Sequence, residues 1–221
     1  VELSDTTVSE EVDFSRVLSA SDVDIATNGQ TLSYTVSSSN PDLVTVDTSN
    51  TDNQGGGQLD LDLQLNQNGS ALITVIVSDS ETPSMSDTTS FTLIVDPVND
   101  APTISNITDQ STNEGTAKTG IAFTVDEGGG ADEDAETLTV TATSSNTTLV
   151  PNANIIVNYT DNGSSSASAL SPTLDITPVG DFNGTTTITV TVTDNGTGNL
   201  TATDTFVLTV DPVNDAPIVV E

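Results

Sequence analysis

Residues 91–102 read FTLIVDPVNDAP, and residues 206–217 repeat this stretch as FVLTVDPVNDAP. The two copies lie 115 positions apart (206 less 91). In each copy, apolar and polar residues alternate before an Asp-Pro pair. This pattern predicts a strand with one buried face that ends in a stiff turn. Two copies of one strand-and-turn segment indicate two structural repeats.

The match between the repeats extends upstream of these stretches. Residues 68–69 (Asn-Gly) recur at the same offset as residues 183–184. Further upstream, residues 31–34 match residues 137–140 at an offset of 106. The second repeat therefore carries nine extra residues, which we place in the Ser-, Gly- and Asn-rich segment 162–171, as a lengthened loop.

The alignment places repeat one at residues 1–101 and repeat two at residues 102–221. The last residues follow the second copy of the motif, at the position where a third repeat would begin. We therefore expect this chain to be a piece of a longer array.

The repeats are predicted to be all-β. Alternation is clearest in Leu59–Leu65, and it returns in residues 73–77, 188–192 and 206–210. About seven short strands in each repeat, separated by Asn, Gly and Pro, predict two tandem immunoglobulin-like Greek-key sandwiches, arranged end to end. A single large jelly roll is the alternative, and the internal repeat argues against it.

Composition excludes several classes of function. Against 33 acidic residues the chain has two basic residues and no His, which gives a formal charge of −31. Nucleic acids and anionic membranes require a basic face, so neither is expected as a partner. There is no Cys, and no apolar run is long enough to span a membrane. Ser-His and Cys-His nucleophile systems are therefore impossible, although a paired-carboxylate glycosidase is not excluded by composition.

The acidic residues concentrate at the expected ends of the repeats, where sandwich loops converge. Carboxylate, amide and carbonyl oxygens are the ligands that Ca²⁺ prefers, at six to eight per ion. Bound cations would also relieve the repulsion among so many acidic groups. The candidate ligands in and after repeat one are Glu10, Asp22, Asp24, Asp79, Asp96, Asn99 and Asp100. Those of repeat two are Glu114, Asp126, Asp132, Asp134, Asp181, Asp194, Asp211, Asn214 and Asp215. Asp60 and Asp62 alternate with Leu, so we assign them to the solvated face of a strand.

The pattern resembles the cadherin-like repeats of large bacterial surface adhesins, including those of the RTX type. The resemblance is carried by Asp22-Val23-Asp24 with the later Asn28-Gly29, by the lone Asp79, and by the linker 98–102. It covers nearly the whole chain and implies calcium at the repeat junctions and an extracellular, bacterial surface location. It also implies that the neighbouring repeats of the same chain are the main partners. The sequence departs from cadherins where they carry an Asp-Arg-Glu motif, because residues 66–68 read Asn-Gln-Asn.

The resemblance implies a calcium-rigidified spacer that holds distal adhesive domains away from the cell, with a role in adhesion or biofilm formation. The isolated fragment is expected to be monomeric. The alternative is a calcium-dependent module that binds carbohydrate or a like repeat on another cell. Carbohydrate sites usually expose aromatic rings, and this chain has only two Tyr, five Phe and no Trp. We do not expect an enzyme.

Overall fold

The computed structural model describes residues 3–130, 132–159 and 170–217. The chain divides into two compact units, residues 1–98 (unit 1) and 99–221 (unit 2). The sequence alignment predicted this boundary three residues later, after Ala101. The difference arises because Asn99 and Asp100 make their contacts with residues of unit 2. The nine-residue insertion predicted at 162–171 falls mostly outside the described residues.

Unit 1 contains seven strands and one short helix. The strands are β1 (Thr6–Ser9), β2 (Phe14–Ser19), β3 (Leu32–Ser38), β4 (Val44–Ser49), β5 (Gly56–Leu63), β6 (Gly69–Asp79) and β7 (Ser86–Asp96), and helix α1 spans Ile25–Asn28. One sheet has the order β1-β7-β6-β3 and the other has the order β2-β5-β4. Strand β1 is parallel to β7, and the remaining pairs are antiparallel. This is a seven-stranded Greek-key sandwich, as the alternation predicted.

Unit 2 repeats this order with two additional short strands. Its strands are β8 (Thr103–Ile104), β9 (Gln110–Asn113), β10 (Lys118–Ala122), β11 (Val125–Asp126), β12 (Thr139–Ser144), β13 (Ile155–Asn158), β14 (Thr173–Ile176), β15 (Gly184–Thr193) and β16 (Thr201–Asp211). Short 3₁₀ helices cover Glu133–Ala135 and Asn152–Asn154. The sheets have the orders β9-β16-β15-β12 and β10-β14-β13, and β8 pairs with β11. Strands β15 and β16 begin 115 positions after β6 and β7, as the repeat alignment requires.

The two sheets of each unit enclose one apolar core. In unit 1, Leu59, Leu61 and Leu63 are buried against Phe91 and Leu93 of the opposite sheet. Asp62 is exposed and Asp60 half-buried, which confirms that the acidic residues of β5 lie on its outer face. The inclusion of Leu65 in this alternation was wrong. It follows the end of β5 and is 73% exposed, because the chain has already turned towards β6.

Tyr34 fixes one corner of the core of unit 1. Its hydroxyl donates a hydrogen bond to the carbonyl oxygen of Gly55 at 2.5 Å, across the gap between β3 and the start of β5. Burial of the ring raises the pKa of the Tyr34 hydroxyl, so this group remains a donor throughout the neutral range.

We expect Tyr34→Phe to lower the free energy of unfolding of unit 1 by about 0.5–1.5 kcal/mol, since it removes one intramolecular hydrogen bond. Thr35→Ser, on the exposed face of the same strand, is the control and should change stability by less than about 0.5 kcal/mol. Denaturant unfolding of the three proteins measures the difference. Equal midpoints for Tyr34→Phe and the unsubstituted protein would contradict the assignment.

Candidate functional site: acidic groups at the ends of the units

In each unit, a glutamate near its start accepts a hydrogen bond from the backbone that follows the last strand. In unit 1, Glu10 is buried, and its Oε1 accepts the N–H of Val98 at 2.6 Å. In unit 2, Glu114 Oε1 accepts the N–H of Val213 at the same distance. The main-chain N–H of each glutamate also donates to the carbonyl of the strand's last residue, Asp96 in unit 1. We call this arrangement the linker clamp.

A second recurrent feature closes the hairpin between the last two strands. Asp194 is buried, and its Oδ1 accepts the N–H groups of Gly196 and Leu200 at 3.1 and 3.0 Å. Asp79 does the same in unit 1 with the N–H groups of Glu81 and Met85. In both carboxylates, Oδ1 thus accepts two main-chain N–H groups of the hairpin turn. In unit 2 the second oxygen, Asp194 Oδ2, accepts from Asn99 Nδ2 at 3.3 Å.

These contacts place five side chains together at one end of unit 2. The set, which we call the acidic cluster, comprises Asn99, Asp100, Glu133, Glu136 and Asp194. Glu133 Oε1 accepts the N–H of Asp100 at 3.4 Å. Gly196 lies at the centre of the cluster, because a Cβ atom built on it would overlap Asn99 Oδ1 and Glu136 Oε1.

The acidic cluster has a surplus of acceptors. Asn99 Oδ1, Glu133 Oε2 and Glu136 Oε2 are buried and accept no hydrogen bond from the described residues. Unsatisfied buried acceptors are uncommon in folded proteins, and each requires a physical explanation. A cation that coordinates these oxygens would satisfy them.

Electrostatics within the cluster are unfavourable without a cation. Burial, followed by interaction with the Glu136 carboxyl, raises the pKa of Glu133 to about 8. Burial also raises the pKa of Glu136; a hydrogen bond with the Glu133 carboxyl acts against this, and the charges of Asp194 and Asp132 add to it. The chain's two basic residues, Arg16 and Lys118, take no part: Arg16 bonds to Ser4 and Thr6 and lies over the Phe91 ring.

The donor chemistry fits a hard cation. Every candidate atom is a carboxylate or amide oxygen, and there is no His or Cys in the chain, which suits Ca²⁺ or Mg²⁺ rather than Zn²⁺. Within the described ranges, no three Asp or Glu side chains already converge on one point as a formed metal centre. The side chains as they stand are therefore close together without having ligand geometry.

The other predicted residues of unit 1 are distributed over both ends. Asp22 and Asp79 line one depression, together with Asp87. Asp22 Oδ1 accepts the N–H of Asp24, and Asp24 is exposed at the start of α1. The side chain of Asp96 is exposed at the end of β7.

In unit 2, Asp126 Oδ1 accepts the N–H of Gly128, and Asp132 contributes its charge to the cluster. The side chain of Asp134 lies outside the described part of the chain. Asp181 is exposed with a φ of 59°, the same left-handed turn conformation that Asn66 adopts in unit 1. Asp211, the last residue of β16, is exposed, as are Asn214 and Asp215 beyond it.

Two residues of the cluster were not predicted. Glu133 and Glu136 were not among the candidate ligands, because the cadherin-like pattern points to an Asp-x-Asp pair, which residues 132 and 134 supply. Their three-residue spacing was the available signal, since residues i and i+3 of a helical turn lie on the same side. Glu127 is also buried and was not among the candidate ligands.

Comparisons with known proteins report similarity at the level of solved structures. No protein-family model matches the chain, and no curated protein matches its sequence. A three-domain crystal structure of protocadherin gamma C5 is 19% identical over 94% of this chain and 66% of its own, with a TM-score of 0.49. Extracellular cadherin domains 1–4 of protocadherin gamma B7 are 19% identical over 97% of this chain and 50% of their own, with a TM-score of 0.44.

An endo-fucoidan hydrolase of glycoside hydrolase family 107 is 20% identical over 97% of this chain and 28% of its own, with a TM-score of 0.34. The chain thus spans between about a quarter and two thirds of the length of these proteins. The fold stated above rests on the strand order within each unit and not on these scores. No helix among the described residues is both long and apolar enough to cross a membrane.

Proposed function

We propose that this chain is a pair of calcium-rigidified spacer repeats from a bacterial extracellular adhesin, and that it is not an enzyme. The observation that carries the proposal is the acidic cluster, with three buried oxygens that accept no hydrogen bond from any residue the structure describes. Asn99 and Asp100, Glu133 and Glu136, and Asp194 come from three separate parts of the chain. A cation bound to them would tie together the residues that open unit 2.

The linker clamp extends this argument to the segment between the units. Glu10 holds Val98, and the next two residues, Asn99 and Asp100, belong to the acidic cluster. Calcium at the cluster would restrict a segment whose preceding residue is already fixed. Repeated along an array, this would give a stiff rod that spaces distal domains from a cell surface.

The alternative function, a binding module for carbohydrate or for a like repeat, has less support. Tyr34 is hydrogen-bonded inside unit 1, and Tyr159 packs against the core of unit 2. Phe91, Phe123 and Phe206 are buried. Among the described residues, the side chains that could form a flat sugar-stacking surface are therefore mostly engaged elsewhere.

Calorimetry in EDTA and in about 10 mM calcium tests the proposal. Extracellular calcium modules bind with dissociation constants of about 10⁻⁴–10⁻³ M. Each occupied site should therefore add about 1–3 kcal/mol to the free energy of unfolding. Small-angle scattering should show a longer and stiffer particle when calcium is present.

Asp194→Asn is the informative variant. It retains an oxygen for the Gly196 and Leu200 N–H groups but removes the charge from the cluster. We expect it to lose most of the calcium-induced stabilisation. Asp62→Asn removes an equal charge from an exposed strand position. This control variant should retain the calcium-induced stabilisation. If calcium stabilised neither the unsubstituted protein nor Asp62→Asn, the spacer proposal would lose its mechanism.

A further inference from the structure

In each unit, a four-residue strand near the start lies parallel to the last strand. Strand β1 pairs with residues 93–96 of β7, and β9 pairs with residues 208–211 of β16. Because parallel strands run in the same direction, the chain enters each pair at one end and leaves it at the other. We call β1 with β7, and β9 with β16, the shear pairs.

The parallel arrangement decides how a shear pair responds to a pull on the chain. Tension draws the first strand of the pair towards the start of the chain and the last strand towards its end. The evenly spaced hydrogen bonds between the two strands are then strained together. Strands that are pulled apart from one end lose their bonds one at a time. A shear pair therefore resists tension along the chain more strongly than a pair opened from its end.

Carboxylates reinforce both ends of each shear pair. Just before β1, Asp5 Oδ1 accepts the N–H of Thr92 at 2.7 Å. Just before β9, Asp109 Oδ1 accepts the N–H of Val207 at the same distance. At the other end, the linker clamp of each unit holds the backbone beyond the last strand. Hydrogen bonds to ionised groups are about twice as strong as those between neutral groups, so these four contacts extend each pair at both ends.

Unit 1 has a further anchor at the entrance to its shear pair. Arg16, on β2 of the other sheet, donates a hydrogen bond to the carbonyl oxygen of Ser4 at 2.7 Å and another to the hydroxyl of Thr6. Its guanidinium lies over the ring of Phe91, 4.6 Å from the ring centroid. Phe91 is buried, so Arg16 ties the start of β1 to the core of unit 1.

Unit 2 anchors the same point with a group of opposite charge. Ile121 takes the place of Arg16, since each lies opposite a leucine of the neighbouring strand and these leucines are 115 positions apart. The anchor is Asp204 instead, whose Oδ2 accepts the N–H of Ile107 at 2.7 Å, three residues before β9. The residue of unit 1 that corresponds to Asp204 is Thr89, 115 positions earlier.

We propose that the two shear pairs carry tension through this chain, and that Arg16 in unit 1 and Asp204 in unit 2 set the force at which each unit opens. The proposal rests on the spacer function, because a spacer transmits the pull between the two bodies that it separates. It adds to that function a path for the force and one residue in each unit that controls resistance to it.

Force spectroscopy of the whole chain, held at its two ends in EDTA, tests the two anchors. Unit 2 contains 25 more residues than unit 1 (123 less 98). At about 3.3–3.6 Å per residue, its unfolding releases about 80–90 Å more chain, so the two unfolding events are distinguished by length. The rate of each event at constant force is the quantity to measure, because forced unfolding is governed by the unfolding rate.

Arg16→Met removes both hydrogen bonds but keeps a long apolar side chain, and it should make unit 1 unfold about tenfold faster at a given force. Asp204→Leu, which retains similar side-chain volume, should accelerate unit 2 alone by a similar factor. Each variant is the control for the other, since each removes one charge from one unit. An unchanged rate in the substituted unit, or equal acceleration of both units by either variant, would overturn the anchors.

A change in the direction of pulling tests the shear pair of unit 1 without altering it. The chain has no native Cys, so attachment points can be introduced in pairs at exposed positions. Ser4→Cys with Val98→Cys loads β1 and β7 in shear. Val12→Cys with Val98→Cys applies force after β1 and at one end of the unit, because Glu10, two residues before Val12, contacts Val98. We expect the first pair to withstand a higher force at the same loading rate, and equal forces would refute the shear pair.

Both measurements are made in EDTA, so neither depends on calcium at the acidic cluster. Resistance that depends on direction, in a protein that calcium does not stabilise, would count against the proposed function alone. Calcium-induced stabilisation with equal resistance in both directions would count against the shear pairs alone. The two proposals can therefore fail separately.

Discussion

Gly196→Ala will abolish the calcium-induced stabilisation of unit 2 and lower its stability in EDTA. The added methyl group would overlap both Asn99 Oδ1 and Glu136 Oε1, which lie within about 2 Å of the position that its carbon would occupy. Both side chains must move, and the cluster must then open or shift. Inserting a methyl group into a closely packed site typically costs about 1–3 kcal/mol. The loss of about 1–3 kcal/mol of binding stabilisation is added to this when calcium is present.

Gly180→Ala is the matched control. It makes the same chemical change in the same unit, but a Cβ atom at Gly180 would have no neighbour within 4 Å. Calorimetry of the three proteins, each in EDTA and in calcium, measures both effects. A Gly196→Ala protein that gains as much stability from calcium as the Gly180→Ala protein would exclude the acidic cluster as the binding site.

In EDTA, the stability of unit 2 should fall as the pH rises from about 6 to about 8. The pKa of Glu133 is about 8 in the folded protein, against 4.5 for an ordinary glutamate. Between these values the folded state binds a proton that the unfolded state has lost, so the free energy of unfolding decreases with pH. Glu136, whose pKa is also raised, acts in the same direction. We expect a loss on the order of a few kcal/mol across this range.

Other carboxylates do not obscure this window. Backbone N–H groups of Gln54 and Gly56 lower the pKa of Asp52, and that of Gly120 lowers the pKa of Asp175. A side-chain hydrogen bond with Ser49 lowers the pKa of Asp60. Because these pKa values are lowered, their contribution is complete above the ordinary value of 3.8 and is lost only in acid.

Glu133→Gln should remove most of the decline, because an amide at this position does not ionise. Hydrogen exchange of the amides in β15 and β16, followed at several pH values, reports unit 2 separately from unit 1. Saturating calcium should also flatten the profile of the unsubstituted protein. A decline of equal slope in Glu133→Gln would assign it to groups outside the cluster.

The strands were predictable from the alternation of apolar and polar residues within each repeat. The alternation at 206–210 has period two, and burial of Phe206, Leu208 and Val210 follows from it directly. The repeat offsets of 115 and 106 also predicted which strands correspond, because equal sequences with equal turns form equal hairpins. Asn66 and Asp181 illustrate this, since both adopt a left-handed turn conformation, before β6 in unit 1 and before β15 in unit 2.

The candidate site was predictable only in part. Asp194 and Asn99 were named as candidates because their sequence contexts recur, and the structure brings their side chains into contact. Glu133 and Glu136 were not identified, since their three-residue spacing shows that they share one side of a turn but does not show that this side is buried. Their burial depends on the 3₁₀ turn at Glu133–Ala135 and on the position of Asp100, which lies more than 30 residues upstream.

The sequence by itself determined the two repeats, their all-β class, the correspondence of their strands and the absence of thiol and imidazole chemistry. These properties depend on composition and on short-range periodicity, which act along neighbouring residues. Only the tertiary structure decided which acidic groups are buried together, and that Asn99 and Asp100 contact Asp194 and Glu133. Such properties depend on contacts between residues distant in sequence, whose burial and electrostatic energies arise only when the sheets have packed.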